Sequence, residues 1–258
     1  MGVEGARPLR LDGKLPRPEG MTGPAKTSLR LQAVIPTLNA AATLPAAVAA
    51  LRAGGDGLAV DILVCDGGST DGTDRAAEEL AARVVRSEKG RGRQLRAGAE
   101  AALSDREPDL LLFLHADSVP QSGWVAAVSG FADRADRDEK AGYFRFSLDD
   151  DSPAARRLEK MVAWRCRVFG LPYGDQGLLM TPALYRRIGG FRDLPLMEDV
   201  EIVRRIGRGN MLGLPGILVT SAARYRRSGY LRRSLRNVIC LSLYFLGMPP
   251  QVLARFYG

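Results

Sequence analysis

The sequence predicts an α/β domain of three layers, α/β/α, with a mostly parallel mixed sheet at its centre. Two observations carry that prediction. Short, fully apolar runs alternate with helical stretches through the first half of the chain, as happens where strands are buried on both faces and helices cover the sheet. Polar residues then cluster just beyond three of these runs, at Thr37 and Asn39, at Asp66 to Asp71, and at His115 and Asp117. Open α/β sheets bind ligands in the crevice beyond the carboxyl ends of their strands.

Taken in order, residues 29–35 form an apolar run ending at Pro36, followed by an Ala-rich helical stretch over 43–53 and a Gly-rich turn. The cycle repeats with a strand at 60–65, a helix at 71–82, a short strand at 83–86 and a helix at 92–103. It repeats again with a strand at 110–114 and a helix at 122–131. The second half is less regular. Alternation over 143–148 predicts a strand, and Ser152-Pro153 supplies a cap and a first-turn proline for an amphipathic helix reaching about Phe169. Short strands are expected at 177–180 and 216–219, with a helix over 197–208 between them.

With 258 residues, 46% hydrophobic and 26% charged, the chain has material for one large domain with tails. The expected organisation is a disordered leader over 1–27, a catalytic domain over 28–228 and a helical segment over 229–258. The 37 basic residues exceed the 29 acidic ones, for a net charge of +8, which favours polyanions without choosing among phosphates, lipid headgroups and nucleic acid. Cys65, Cys166 and Cys240 are far apart and the chain holds 1 His, so neither a zinc cluster nor a disulfide framework is expected. A reducing, cytoplasmic setting fits that usage, and the leader lacks the apolar core of a secretory signal.

Three constellations carry chemistry. Asp66-Gly67-Gly68-Ser69-Thr70-Asp71 follows a strand and opens a helix. Its glycines let the backbone approach a ligand, and its carboxylates can accept from a base or ribose; alone, it reads equally as a capped turn. His115-Ala116-Asp117 ends a buried strand, and Asp117 suits a hard divalent cation, which needs only one or two protein carboxylates when a diphosphate supplies the rest. Glu198-Asp199 opens a helix, where the dipole favours carboxylates anyway; facing a cleft, it can also deprotonate a hydroxyl.

Pro36-Thr37-Leu38-Asn39-Ala40, Asp66 to Asp71, Ala116-Asp117 and Glu198-Asp199 together resemble the ordered motifs of family 2 glycosyltransferases, over roughly residues 31–227. The loop Tyr173-Gly174-Asp175-Gln176-Gly177 and the short length resemble a bacterial subgroup named for arsenosugar biosynthesis. The resemblance implies a GT-A fold, a UDP- or GDP-linked sugar donor, a divalent Mg²⁺ or Mn²⁺ ion and inversion at the anomeric carbon. It places Pro36, Thr37, Asn39 and Ala116 by the nucleotide, Asp66 on the base, and Ser69 and Asp71 behind that loop. Asp117 matches the last carboxylate of the metal motif, with His115 in the place of the first, which departs from the family pattern. Asp199 matches the base and Glu198 its acidic neighbour.

Further contacts are expected from Arg91 and Gln94, at a Gly-rich basic helix start suited to a diphosphate. Asp175 and Gln176 are expected to line the acceptor pocket, and Arg224 and Arg227 to lie in a late basic run over the donor. The alternative for each is a solvated surface or a simple turn. From Leu231 a basic amphipathic helix runs into about eleven apolar residues, too few for a bilayer span of about 20. It either packs on the domain or lies at the inner face of the cell membrane, where a lipid-linked acceptor would take the place of a small molecule. Two rival functions stand beside glycosyl transfer. Sugar-phosphate nucleotidyl transfer lacks its Gly-rich, Lys-bearing loop after the first strand. A basic nucleic-acid or membrane module lacks a reader motif, and no nucleic acid partner is expected.

Overall fold

Four strands of the first half lie side by side and parallel: β1 (Leu29–Thr37), β2 (Leu58–Asp66), β3 (Arg83–Arg86) and β4 (Leu110–Phe113). The computed structural model describes residues 28–54, 57–104 and 106–257, so the leader expected over 1–27 lies outside the described residues. Side chains alternate along these strands between two cores. Leu31, Ala33, Ile35, Ile62, Val64, Leu110 and Leu112 enter one, while Val34, Leu63, Cys65, Leu111 and Phe113 enter the other. Where both faces are buried without interruption, at 33–35, 62–65 and 110–113, a period of two leaves no polar position and the run is apolar; Arg30, Gln32 and Asp61 occupy the less buried starts of β1 and β2.

Helices α1 (Leu44–Arg52), α2 (Thr73–Glu79), α3 (Arg91–Ser104) and α4 (Trp124–Ala132) connect and cover these strands. α2 is shorter than the predicted 71–82, because Gly72 and Ala81 adopt positive φ of 84° and 45° and neither residue continues a right-handed helix. α3 packs closely on β1 and β2 at Gly98, where a Cβ would fall 2.3 Å from Cys65 Sγ and 2.5 Å from Val34 Cγ1.

Four further strands extend one mixed sheet: β5 (Ser118–Pro120), β6 (Ala141–Leu148), β7 (Leu178–Met180) and β8 (Met211–Thr220), in the order β3-β2-β1-β4-β7-β6-β8-β5. β7 runs antiparallel to β4 and β6, β8 parallel to β6, and β5 antiparallel to β8. The chain leaves β1 toward β2 and later returns to its other side as β4. That reversal opens a crevice beyond the carboxyl ends of β1 and β4.

The second half adds α5 (Pro153–Phe169), α6 (Pro182–Arg187), α7 (Glu198–Ile206), α8 (Ala223–Ser228), α9 (Tyr230–Phe245) and α10 (Pro250–Tyr257). The predicted start of α5 is visible as a cap: Ala155 N donates to Ser152 Oγ at 3.2 Å. α9 buries Cys240 and lays Leu241 and Tyr244 against the second core, while Leu231, Leu235, Val238 and Ile239 face outward. Among the described residues, no helix is long and apolar enough to cross a membrane.

Candidate functional site

The crevice at the strand reversal contains a cavity of ≈ 410 Å³ lined by Pro36, Thr37, Asn39, Arg91, Gln94 and Ala116, together with His115, Asp117 and Arg224. Six of the residues expected around the nucleotide therefore share one wall. Asp66, Ser69 and Asp71 stand behind that wall and hold it together. Asp66 is buried and accepts four hydrogen bonds: from Thr37 Oγ1 (3.1 Å), Ser69 Oγ (2.5 Å), Ser69 N (2.8 Å) and Gly68 N (3.0 Å). Burial alone would raise its carboxyl, but these donors outweigh it and hold the group below the ordinary carboxylate range.

The same stitching continues outward. Asn39 N donates to Ser69 Oγ (2.8 Å), Thr70 N to Asn39 Oδ1 (2.9 Å), and Ala41 N to Asp71 Oδ2 (3.1 Å), tying the end of β1 to the loop after β2. Asn39 adopts φ 54°, which asparagine tolerates better than most residues. Gln94 is buried, and its amide donates to Thr37 O (2.5 Å) and Cys65 O (2.7 Å), pinning the ends of β1 and β2. An ionised carboxylate offers about four acceptor positions, so Asp66 is fully used inside the loop. Its geometry is that of a loop organiser.

The second part of the crevice, ≈ 150 Å³, is lined by His115, Asp117, Asp175, Glu198 and Asp199, with Arg91, Arg224, Tyr173 and Arg233 around them. Three distant segments meet here. Asp199 sits in the first turn of α7 and accepts from Val200 N (2.8 Å) and from Gly174 N (2.9 Å) in the 3₁₀ turn Gly174–Gln176. Gly174 also lies against the His115 ring, where a Cβ would come within 2.5 Å of Nε2. Met197, just before α7, adopts a left-handed φ of 64°, a conformation that costs a residue with a side chain about 1 kcal/mol or more.

Charge in this part is poorly shielded. Glu198 is buried, with its Oε1 3.3 Å from Arg91 Nη1 but without a hydrogen bond. Burial pushes its carboxyl up; Arg91 opposes the rise and Asp199 adds to it. Asp175 carries an enclosed Oδ1 with no hydrogen-bond partner, and burial, opposed by Arg165 and reinforced by Asp199 and Asp117, pushes its carboxyl up to about 6. His115 is held well below the ordinary histidine range by burial and by Arg91 and Arg224, so it is neutral near pH 7.

These groups fit a divalent cation shared with a diphosphate. Among the described residues no three His, Cys, Asp or Glu side chains form a metal cluster, so an all-protein cage does not arise. Asp117 and the neutral His115 share both cavities, and an ion completed by phosphate oxygens needs only one or two such ligands.

Two expected pocket residues are elsewhere. Gln176 turns inward: its Oε1 accepts from Arg165 Nη2 (3.2 Å), Cys166 Sγ (3.1 Å) and Tyr173 N (3.3 Å), and its Nε2 donates to Phe144 O (3.1 Å). Successive side chains in a 3₁₀ turn point about 120° apart, so Asp175 reaches the crevice and Gln176 does not. Arg227 is exposed and lines neither part of the crevice, while Arg224, one helical turn earlier, lines both. The crevice wall also holds Arg233 and Asn237 of α9, placed there by long-range packing that local pattern does not encode, and Tyr173, which opens the loop that the sequence singled out for Asp175 and Gln176.

The sequence pattern described as Glycosyl transferase family 2 matches residues 32–187. No curated protein matches the sequence significantly. Among solved structures, the mannosyltransferase PcManGT from Pyrobaculum calidifontis, in complex with GDP-Man and Mn²⁺, is similar at 20% identity and TM-score 0.59, over 89% of this chain and 68% of that one. S. aureus TarS is similar at 17% identity and TM-score 0.56, over 74% of this chain and 58% of that one. Glucosyl-3-phosphoglycerate synthase from Mycobacterium tuberculosis, in complex with Mn²⁺, UDP and glucosyl-3-phosphoglycerate, follows at 19% identity and TM-score 0.50, over 76% and 71%. At these identities the likeness is one of fold, and that fold is GT-A.

Proposed function

The chain belongs to glycosyl transferase family 2 and is a glycosyltransferase, and from that premise we propose that it moves a sugar from a nucleoside-diphosphate donor to an acceptor hydroxyl with inversion. The observation that carries the reading is the placement of Asp199. Two backbone N–H groups fix its carboxylate on the crevice wall that also holds Asp117, Arg91 and Arg224.

In this reading the nucleoside lies along Pro36, Thr37, Asn39 and Ala116, on a wall already braced by Asp66, Ser69, Asp71 and Gln94. Arg91 and Arg224 face the diphosphate and offset its charge as the leaving group departs. Asp199 accepts the acceptor's hydroxyl proton while the acceptor oxygen bonds to the anomeric carbon. The bond from that carbon to the diphosphate oxygen breaks, and its electron pair leaves with the nucleotide. Glu198 acts through its ion pair with Arg91, coupling the start of α7 to the diphosphate side. Asp117, with His115 beside it, would hold a Mg²⁺ or Mn²⁺ ion, which supplies Lewis-acid neutralisation of the diphosphate when bound. The solved structures similar in fold include complexes of Mn²⁺ with UDP and with GDP-Man, which supports both the donor class and the ion.

A thermal-shift panel of UDP-, GDP- and dTDP-sugars with and without Mn²⁺ tests the proposal. One donor family should raise Tm in a Mn²⁺-dependent way, and Asp117→Ala should remove the Mn²⁺ dependence. If no nucleotide shifts Tm under either condition, the donor reading is wrong.

A further inference from the structure

Beside the crevice, α5 and α9 diverge to leave a second cavity, ≈ 500 Å³, walled by Met161, Trp164 and Phe169 on one side and Val238, Leu241 and Phe245 on the other. Most of these side chains are about half exposed, although large apolar groups grouped on a surface commonly mark a binding site. The groove is continuous with the crevice: Tyr173, Asp175, Tyr225 and Asn237 line both. Its wall is fixed where the two meet. Arg165 donates to Leu171 O (2.9 Å) and Gln176 Oε1 (3.2 Å) and stacks 3.4 Å over the centre of the Tyr173 ring.

At that junction lies the enclosed Asp175 Oδ1, which has no donor from the protein. A buried oxygen of this kind is costly until something donates to it. A hydroxyl-bearing ligand with its reacting oxygen at Asp199 can supply that donor, and the path away from Asp175 runs between apolar walls. We propose that this groove holds the hydrocarbon part of an amphiphilic acceptor whose hydroxylated head sits at Asp175 and Asp199. The proposal rests on the glycosyl-transfer reading above and names the class of acceptor within it. The groove is thus the specificity element for the acceptor, as the β1 wall is for the donor.

The test is calorimetric titration of the full chain with methyl, hexyl and octyl β-glucoside below their micelle concentrations, probes that share a head and differ only in the tail. Each buried methylene should tighten binding roughly twofold to fourfold, so octyl glucoside should bind at least tenfold tighter than methyl glucoside. Met161→Glu and Val238→Glu, at surface positions on opposite walls, should each abolish that gain while leaving the Mn²⁺-dependent nucleotide shift of Tm unchanged. Affinity independent of tail length, with the nucleotide shift intact, would overturn the groove and leave the donor reading standing. So would a result in which the two variants instead disperse a dimer or release the protein from anionic phospholipid vesicles without changing glucoside binding. Tail-dependent binding in a protein with no nucleotide response would overturn the acceptor assignment, because no donor would lie beside the groove.

Discussion

The loop after β2 stands behind the crevice and the wall built from the 3₁₀ turn and α7 lines it, and their carboxylates are in opposite conditions. Asp66 accepts four hydrogen bonds and is held below its usual range. Asp175, which lines the crevice itself, keeps an oxygen with no donor and is pushed up to about 6. Under the proposed function the difference separates two tasks. The donor side is complete before a ligand arrives, with its polar groups answered by neighbours, which suits a rigid cradle. The transfer side leaves polar oxygens and a left-handed Met197 unresolved, and ligands must complete it. Unsatisfied groups at such a site mark where a ligand completes the structure.

The comparison can be broken most severely at Asp199. Asp199→Asn keeps the shape of the side chain but cannot take the proton, so kcat should fall by about 10²- to 10⁴-fold, with the nucleotide-induced shift of Tm preserved. Steady-state kinetics beside thermal shift separates the two effects. A loss of nucleotide binding without loss of kcat would place Asp199 on the donor side.

Asp66→Ala should act through structure. It removes the acceptor of four hydrogen bonds and should cost about 2–4 kcal/mol, or roughly 5–15 °C in Tm, and weaken nucleotide binding with it. Because the folded Asp66 carboxyl lies below its ordinary value, its contribution is present above the usual carboxylate range and is lost as pH falls through the folded value. The wild-type advantage in Tm should therefore shrink in acid.

Asp175 should show the reverse sign. Its folded carboxyl near 6 lies above the ordinary 3.8, so between those values the folded state binds more protons and stability falls as pH rises. Asp175→Asn should match wild type near pH 3.5 and exceed it near pH 8 by at most about 3 kcal/mol. Denaturation midpoints across pH check this; an Asn variant less stable than wild type at pH 8 would show that Asp175 is satisfied in the folded protein. Smallest of all, Arg227→Ala should leave Tm and kcat/KM nearly unchanged, whereas Arg224→Ala should weaken the nucleotide response.

Legibility followed the same division. β1, β2 and β4 were readable because burial on both faces of their later residues writes apolar runs, interrupted only by Arg30, Gln32 and Asp61 near the starts of β1 and β2, and α5 because Ser152-Pro153 announces its start. β5 was not, since three residues ending in Pro120 look like a loop until Thr220 and Leu218 pair with them. β8 begins at Met211, five residues before its predicted start, because Gly213, Pro215 and Gly216 erase the strand pattern that pairing with β6 restores around an irregular register. α6 carried a signal that was passed over: Thr181-Pro182 repeats the Ser152-Pro153 cap, and Leu184 N does donate to Thr181 Oγ1 at 3.2 Å. Within the site, the residue types at strand ends were visible. The roles of Gln94 and Gln176 were not, because both face backbone carbonyls inside the fold and only tertiary packing decides which way an amide turns.

The most direct test of the central claim is the anomeric configuration of the first product, followed by proton NMR during transfer from the donor that the thermal-shift panel selects. The account predicts a configuration inverted relative to the donor, formed by the wild type and lost in an Asp199→Asn variant that still binds nucleotide. Retention of configuration, or undiminished transfer by Asp199→Asn, would contradict it.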